Sequence, residues 1–218
     1  MAKHALLSPS SANKWVACAA APAAELQAEK EILNIYAAEG TAAHFLASEC
    51  LDQGGFKLGD CTGLVIYINK DGEACWDGPE GSYYFKFPVT SSHIEHVDKY
   101  LASLQEFAGE DGILMPEQKL DLFPITGEKD AKGTSDAVVI RGTELQVHDL
   151  KYGMKIVDAH ENRQLIVYAA AALEEYSFMY DIVTVTMVIH QPRVFDNPSV
   201  YTVTLEEFYL LLEPIKVA

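Results

Sequence analysis

The chain has 218 residues, of which 49% are apolar and 22% are charged, and these proportions exclude a wholly disordered protein. Its 32 acidic and 16 basic residues give a net charge of −16, which excludes a broadly basic surface for nucleic acid. Any contact with DNA must therefore be local, with metal ions offsetting the nearby carboxylates. At this length one domain is expected.

Targeting and redox signals favour a cytoplasmic protein with no membrane partner. No segment approaches the roughly 20 apolar residues of a membrane span, and the N-terminal stretch MAKHALLSPSS lacks a hydrophobic signal region. The four cysteines, Cys18, Cys50, Cys61 and Cys75, contain no CxxC pair. We interpret them as reduced thiols rather than as a zinc site or a disulfide framework.

The first half of the chain is predicted to consist of helices around a small β-hairpin. Ser8 and Pro9 mark a helix start, with Ser8 as N-cap and Pro9 at the first helical position. The predicted elements are this helix, which carries Trp15, a helix over 38–51 that ends at Gly54-Gly55, a hairpin over 64–76, a strand over 83–87 and a helix over 91–107.

The second half is predicted to alternate short strands with helices. The patterns predict strands over 117–123, 134–140 and 144–151, a helix over 158–176, strands over 181–193 and 200–203, and a last helix that begins near Thr204 and stops at Pro214. We therefore predict an α/β (α+β) fold in which a central mixed β-sheet is flanked by helices.

Two carboxylates and a lysine are predicted to meet at one end of a hairpin. The strand period of two places Asp149 and Lys151 on one face, and Asp136 lies near the start of the preceding strand. If these strands pair through the turn at 141–144, the two aspartates come together. Partly buried carboxylates need a partner, and hard oxygen ligands favour Mg²⁺ or Mn²⁺ over zinc. The alternative is an exposed salt bridge between Asp149 and Lys151.

The helix that follows supplies two neutral donors. Gln164 and Tyr168 are four residues apart and share one helical face, where they could hold a phosphate or an adjoining base. Taken alone, a glutamine and a tyrosine on an amphipathic helix are also ordinary packing residues.

Together these motifs resemble the PD-(D/E)XK nuclease superfamily. The resemblance is greatest to its RecB-like branch, which includes lambda-type phage exonucleases and CRISPR-associated RecB-like exonucleases, and it covers about residues 8–176. The motifs are Gly133-x-x-Asp136, Asp149-Leu150-Lys151, Gln164-x-x-x-Tyr168, the stretch EGTAAHFLA with His44, and the upstream SPSSANKW, which is similar to the start of phage-encoded members.

The resemblance implies a restriction-endonuclease-like core with an N-terminal helical region and a β-hairpin insertion. The whole of 1–218 would be one nuclease domain, divided into N-terminal helices at 1–60, the insertion at 61–88, a helix at 89–109 and the core at 112–213. Because no obvious terminal element follows Pro214, we expect that the sequence is truncated at its C-terminus.

The resemblance also implies a role for each motif residue. His44, Asp136, Asp149 and the backbone carbonyl of Leu150 would bind the metal, and Lys151 would orient or activate the attacking water. Glu117 would be a further acidic residue near the metal, although a solvated strand glutamate is an equal alternative. Gln164, Tyr168, Arg163 and Lys155 would contact DNA, and Gly133 would allow a close backbone approach.

An iron–sulfur cluster is not expected, although some members of the branch hold one. They place one cysteine in the N-terminal region, where Cys18 stands, and three near the C-terminus, but no cysteine follows Cys75. The expected cofactor is therefore Mg²⁺ or Mn²⁺ alone.

The sequence thus predicts a metal-dependent DNA exonuclease that hydrolyses phosphodiester bonds at DNA ends. We expect it to act in phage recombination or repair, in the cytoplasm of a bacterial host, with a recombination protein as partner and as a homo-oligomer. Two alternatives stay open. One is a nuclease-fold DNA-binding or assembly module with weak or no catalysis, and the other is an endonuclease of the same superfamily.

Overall fold

A computed structural model describes residues 5–28, 33–51, 57–78, 81 and 83–216 of the chain. Its α-helices are α1 (Ala12–Trp15), α2 (Ala21–Gln27), α3 (Ile35–Leu51), α4 (Ser91–Ala108), α5 (Phe123–Thr126), α6 (Arg163–Tyr176) and α7 (Leu205–Lys216), with 3₁₀ turns at Pro9–Ser11 and Leu58–Cys61. None of the helices in these residues is long and apolar enough to cross a membrane.

The strands form two sheets. They are β1 (Val65–Asn69), β2 (Ala74–Cys75), β3 (Tyr83–Pro88), β4 (Ile113–Asp121), β5 (Lys132–Arg141), β6 (Glu144–Leu150), β7 (Thr184–His190) and β8 (Ser199–Thr204). The small sheet has the order β2-β1-β3, and the large one has the order β4-β5-β6-β7-β8. The large sheet is mixed, because β6 and β7 are parallel while its other neighbouring strands are antiparallel.

Helix α6 covers one face of the large sheet. Asn162 caps its start, since the side-chain oxygen accepts hydrogen bonds from the backbone N–H groups of Gln164 and Leu165. The helix packs on alternate residues of β5 and β6, which point to this face because side chains alternate along a strand. Those residues are Val138, Ile140, Leu145 and Val147.

Helices α3 and α4 and the small sheet form a second core on the opposite face. The inner side of α3 is built from small residues, among them Ala38, Ala42 and Ala47, which let neighbouring elements approach closely. Ala137 and Leu150 of the large sheet belong to the same cluster. Helix α3 is thereby held against the sheet near the end of β6.

The predicted fold class is confirmed, but most of the predicted element boundaries shift by one or more residues. The strand predicted from Glu117 begins at Ile113, and the strand predicted over 181–193 is limited to Thr184–His190. The helix predicted from Asp158 begins at Arg163, because Asp158 accepts hydrogen bonds from the N–H of His160 and the hydroxyl of Ser199 instead.

The C-terminal helix was predicted to stop at Pro214, and that prediction is wrong. Pro214 lies inside α7, which continues to Lys216. A proline removes the hydrogen bond from its own nitrogen to the carbonyl four residues earlier, here that of Leu210, but only two residues of the helix follow it. The predicted helix stop at Gly54-Gly55 lies outside the described residues.

Candidate active site

The antiparallel pairing of β5 with β6 brings the two predicted aspartates together. Ala137 pairs with His148, so Asp136 and Asp149 are the next residues on each strand, at the end of the hairpin away from its turn. The Asp136 Oδ2 atom accepts a 2.7 Å hydrogen bond from the backbone N–H of Leu150. This bond fixes one carboxylate beside the end of β6, where the predicted lysine motif lies.

His44 reaches the same point from helix α3. Its Nδ1 atom lies 3.2 Å from Asp136 Oδ1. Burial favours the neutral imidazole, but the Asp136 carboxylate outweighs it and raises the pKa of His44 to about 9. In the same pair burial opposes ionisation of Asp136, yet His44 and the Leu150 N–H hold the pKa of Asp136 below its ordinary value.

Lys151 and Gln164 surround the second aspartate. The Lys151 Nζ atom lies 2.7 Å from Asp149 Oδ2 and donates a 2.9 Å hydrogen bond to Gln164 Oε1. The amide of Gln164 donates a 2.8 Å hydrogen bond to Asp149 Oδ1. Burial, followed by the charge of Asp136, raises the pKa of Asp149 to about 6. The asparagine cap that starts α6 places Gln164 in its first turn, where it can make both contacts.

Glu117 adds a third carboxylate from strand β4. The residues on either side, Pro116 and Gln118, pair with Ala137 and Ser135, so Glu117 lies opposite Asp136. Its φ of 49° is unusual for a residue other than glycine and marks local backbone strain of the kind found at functional sites. Although the residue is exposed, loss of water around the carboxylate and the charge of Asp136 raise the pKa of Glu117 to about 7.

Tyr168 packs against Gly133 at the edge of this group. A Cβ atom at Gly133 would lie 3.0 Å from the Tyr168 ring and 3.2 Å from Pro9. The absence of a side chain at Gly133 therefore lets the Tyr168 ring and Pro9 pack closely against its backbone. Burial, with the charges of Asp136 and Asp149, raises the pKa of Tyr168, so its hydroxyl remains a neutral donor.

The donor set fits a divalent cation in its chemistry. Two buried carboxylates, an imidazole and a nearby third carboxylate are ligands that Mn²⁺ and Mg²⁺ accept. Burial first, and then the charge of Asp136, raises the pKa values of Asp149 and Glu117, so both carboxylates would gain from a cationic partner. The described residues contain no group of three or more His, Cys, Asp or Glu side chains already arranged to hold a metal ion. Here His44 and Lys151 neutralise the aspartates that an ion would bind.

A buried hydroxyl near the carboxylates supports the same interpretation. The Tyr100 hydroxyl is buried and has no hydrogen-bond partner among the described residues. Burial, followed by the charges of Asp136, Asp149 and Glu117, raises the pKa of Tyr100 well above its ordinary value. A buried polar group without a partner often marks the place of an ordered water or an ion.

Two predicted DNA contacts lie outside this group. Arg163 donates a 3.3 Å hydrogen bond to the backbone carbonyl of Asn13, and Lys155 is exposed on the loop after β6. Both are near the site in sequence, but neither contacts its carboxylates in the structure.

Residues 4–217 match the model of the family described as "Protein of unknown function (DUF2800)". The chain belongs to the DUF2800 family. A solved structure described as the crystal structure of SSO0001 is similar at 17% identity over 59% of this chain and 61% of that one, with a TM-score of 0.27. The matched part spans less than two thirds of that protein, and the overlap is too small to establish a common fold.

In this DUF2800 protein, sequence reasoning missed the contacts that join α3 to the end of β6. Arg193 donates hydrogen bonds to Glu39 Oε2 (2.7 Å) and to the carbonyl of Tyr152 (3.4 Å), and its guanidinium lies 4.8 Å from the centre of the Tyr152 ring. Glu39 is on the helix that carries His44, and Tyr152 follows Lys151. The only sequence signal was an arginine after a long apolar strand, which is too common to assign.

A buried histidine pair lies behind the site of the DUF2800 protein. His148 Nδ1 is 3.0 Å from His190 Nε2, and His148 Nε2 is 3.1 Å from Gln146 Oε1. Burial lowers the pKa of His148 and lowers that of His190 to about 3. Both rings are therefore neutral at pH 7. The His148 ring packs on the α4 side against Phe107, on the face of β6 opposite to Asp149.

Proposed function

We propose that this protein is a metal-dependent deoxyribonuclease that hydrolyses phosphodiester bonds at DNA ends. The observation that carries the proposal is the convergence of His44, Asp136, Asp149 and Lys151 on one point from α3, β5 and β6. His44 is far from the other three residues in the sequence, and the two aspartates carry carboxylates that are costly to take out of water without a partner. In the metal-free protein His44 and Lys151 neutralise the two aspartates, so a divalent cation would replace them as the partner of these carboxylates and leave Lys151 to face an anionic substrate.

His44, Asp136, Asp149 and the backbone carbonyl of Leu150 would hold Mg²⁺ or Mn²⁺. When bound, such an ion activates a water molecule and neutralises charge on the phosphate. Lys151, held by Gln164, would place its ammonium group against the attacking water and the phosphate. Gln164 and Tyr168 would position the strand with neutral donors, which do not add charge to the site.

Cleavage of defined DNA substrates tests the proposal. Linear duplex, closed circular duplex and circular single-stranded DNA are incubated with Mn²⁺, with Mg²⁺ or with EDTA. Degradation of linear DNA alone, dependent on the metal and abolished by Lys151→Ala and by Asp136→Ala, is the expected result. Lys70→Ala, at an exposed turn lysine, is the matched control and is expected to cleave normally.

The other outcomes separate the remaining candidates. Nicking of circular duplex replaces the exonuclease proposal with an endonuclease. DNA binding without cleavage under any of these conditions supports a nuclease-fold binding or assembly module, which the internal pairing of Lys151 with Asp149 favours. A role in phage recombination or repair, within a bacterial cytoplasm, follows only if DNA ends are the substrate.

A further inference from the structure

Tyr100 of helix α4 packs against the end of the large sheet that carries the candidate active site. Its ring meets the ring of His190 edge-on, with 5.0 Å between the centroids and 76° between the planes. His190 is the strand partner of Leu150, and its backbone carbonyl accepts a 2.8 Å hydrogen bond from the N–H of Lys151. Tyr100 therefore lies beside the strand ends that form the site.

The residues clustered with Tyr100 are chain neighbours of the two aspartates. Tyr100 belongs to the same buried cluster as Ala137 and Leu150, and these follow Asp136 and Asp149 in the sequence. Tyr100 is only 2% exposed, and its hydroxyl oxygen is buried as well. The hydroxyl therefore faces the interior of the protein rather than bulk solvent.

The Tyr100 hydroxyl is near three carboxylates but bonds to none of them. Burial, followed by the charges of Asp136, Asp149 and Glu117, raises the pKa of Tyr100, so the group stays protonated and can both donate and accept hydrogen bonds. Within the described part of the chain it has no hydrogen-bond partner. It can therefore reach the carboxylates only through an intervening molecule, of which water is the smallest.

A second buried oxygen at the site has the complementary need. Asp149 Oδ2 is the other buried side-chain atom that lacks a hydrogen-bond partner in the described residues. It forms an ion pair with Lys151 at 2.7 Å, but it accepts no hydrogen bond. Burying an unpaired donor or acceptor is costly. The hydroxyl can act as a donor and the carboxylate as an acceptor, so ordered water between them would satisfy both.

The proposed cation also needs water ligands. Mg²⁺ takes about six ligands and usually keeps several waters, so His44, Asp136, Asp149 and the carbonyl of Leu150 would fill only part of its coordination shell. One water would face the DNA as the nucleophile. A water on the buried side of the site needs a protein group to hold it.

We propose that Tyr100 is a positioning residue that holds a water ligand of the cation on the buried side of the site. The hydroxyl hydrogen-bonds to this water and fixes its orientation, and the water is thereby kept in place between the cation and α4. This inference rests on the proposed function for the nature of the site. It adds a residue from α4, a helix that supplies none of the proposed metal ligands.

Mn²⁺ binding and metal-free stability, measured on Tyr100→Phe, test the proposal together. The variant keeps the ring that packs on His190 and removes only the hydroxyl. Calorimetric titration at pH 8 is expected to show an Mn²⁺ affinity about tenfold lower than that of the wild type. The urea midpoint without metal is expected to be unchanged or higher, because the lost hydroxyl had no partner within the described chain.

The stabilisation by Mn²⁺ gives a second measure of the same loss. Ligand that binds only the folded state raises its stability according to its affinity. At a fixed Mn²⁺ concentration the urea midpoint is therefore expected to rise less in Tyr100→Phe than in the wild type. A tyrosine that only packs would not change this increment.

Tyr201→Phe is the matched control. Tyr201 is a partly buried tyrosine on β8, where its ring lies 4.5 Å from that of His160. The same chemical change at this edge strand is expected to keep the wild-type Mn²⁺ affinity. An equal loss of affinity in Tyr201→Phe would show that the effect is not specific to Tyr100 and would overturn the proposal.

Three further results would overturn it: equal Mn²⁺ affinities of the wild type and Tyr100→Phe, no Mn²⁺ binding by the wild type, or a lower metal-free urea midpoint in Tyr100→Phe. The last would mean that the hydroxyl has a partner within the chain. DNA cleavage is measured separately. A wild type that binds Mn²⁺ through Tyr100 but leaves DNA intact would contradict the nuclease proposal and not this one.

Discussion

The imidazole of His44 lies 3.2 Å from the carboxylate of Asp136, although one residue is on helix α3 and the other on strand β5. This contact joins the N-terminal helices to the sheet at the point where the buried charges meet. In the metal-free protein the His44 imidazole is positively charged at pH 7, because Asp136 raises the pKa of His44 to about 9.

Metal affinity is expected to rise with pH because the ion must displace that proton. A histidine ligand binds metal only when neutral, so between pH 7 and 9 each pH unit is expected to raise the Mn²⁺ affinity up to about tenfold. The rise levels off above pH 9. Below pH 7 the dependence becomes steeper, because Glu117 and Asp149, with pKa values of about 7 and 6, also take up protons.

Calorimetric titrations with Mn²⁺ at pH 6.5, 7.5 and 8.5 measure this dependence, and buffers of different ionisation enthalpy count the protons released. His44→Asn is expected to bind more weakly and to lose the pH dependence above pH 7. A wild-type affinity that is constant from pH 7 to 9 would show that His44 is not a ligand.

Gln164 is expected to position the groups of the site. Its amide contacts both Lys151 and Asp149, so Gln164→Leu leaves each of them with one partner fewer. Loss of a side chain that orients ligands costs about 10- to 100-fold in activity or metal affinity. Initial cleavage rates and Mn²⁺ titrations measure the effect, and Gln105→Leu, at an exposed position on α4, should behave as wild type.

Breaking the Glu39–Arg193 contact is expected to weaken metal binding from a distance. Arg193→Met removes the link between α3 and Tyr152. Helix α3 carries His44, so the position of this ligand becomes less well defined. We expect about a tenfold loss of Mn²⁺ affinity but only about 0.5–1 kcal/mol of unfolding free energy, because the pair is partly exposed and therefore screened.

The Lys99–Asp196 pair provides the control for that experiment. It also joins a helix to the connection after β7, but the helix is α4, which carries none of the proposed ligands. Lys99→Met is expected to keep the wild-type Mn²⁺ affinity. Similar losses in both variants would mean that the loop, rather than the position of α3, determines the affinity.

The buried His148–His190 pair is expected to make the protein sensitive to acid. Both pKa values are lowered by burial, that of His190 to about 3, whereas the unfolded chain takes up these protons near pH 6.5. The unfolded state therefore binds more protons below pH 6.5, and stability falls as the pH falls. Each histidine contributes up to about 1.4 kcal/mol per pH unit in that window.

Urea denaturation between pH 7 and 4.5 measures the slope. The double variant His148→Gln/His190→Gln is expected to lose less stability per pH unit than the wild type, whatever its stability at pH 7. His160→Asn, at an exposed histidine, should keep the wild-type slope. An unchanged slope in the double variant would contradict neutral burial of the pair.

The features that could be predicted from the sequence are mostly local ones. Strand alternation and a short turn were enough to predict that Asp136 and Asp149 meet, and helical spacing placed Gln164 and Tyr168 on one face. Contacts between distant segments could not be predicted, because no local pattern encodes them. Glu39 and Arg193 are 154 positions apart, and the residue type gives no signal for the positive φ of Glu117.

The start of α6 shows why boundaries were harder to predict than elements. The hydrophobic pattern of the helix is clear, but residues 158–162 could have extended it. Asn162 begins the helix instead, because its side chain caps the N–H groups of Gln164 and Leu165, while Asp158 bonds to Ser199 on β8. The residue at which α6 begins thus depends partly on Ser199, which lies on a strand later in the chain.

Mn²⁺ binding by the wild type and Asp136→Asn tests the central claim most directly, namely that the convergent charges form a metal site. Asp136 is the residue that contacts both His44 and the end of β6. We predict saturable binding by the wild type at pH 8 and a loss of at least tenfold in affinity in Asp136→Asn, with normal binding in Asp121→Asn, an exposed aspartate at the end of β4. No Mn²⁺ binding by the folded wild type, or equal binding by Asp136→Asn, would contradict the account.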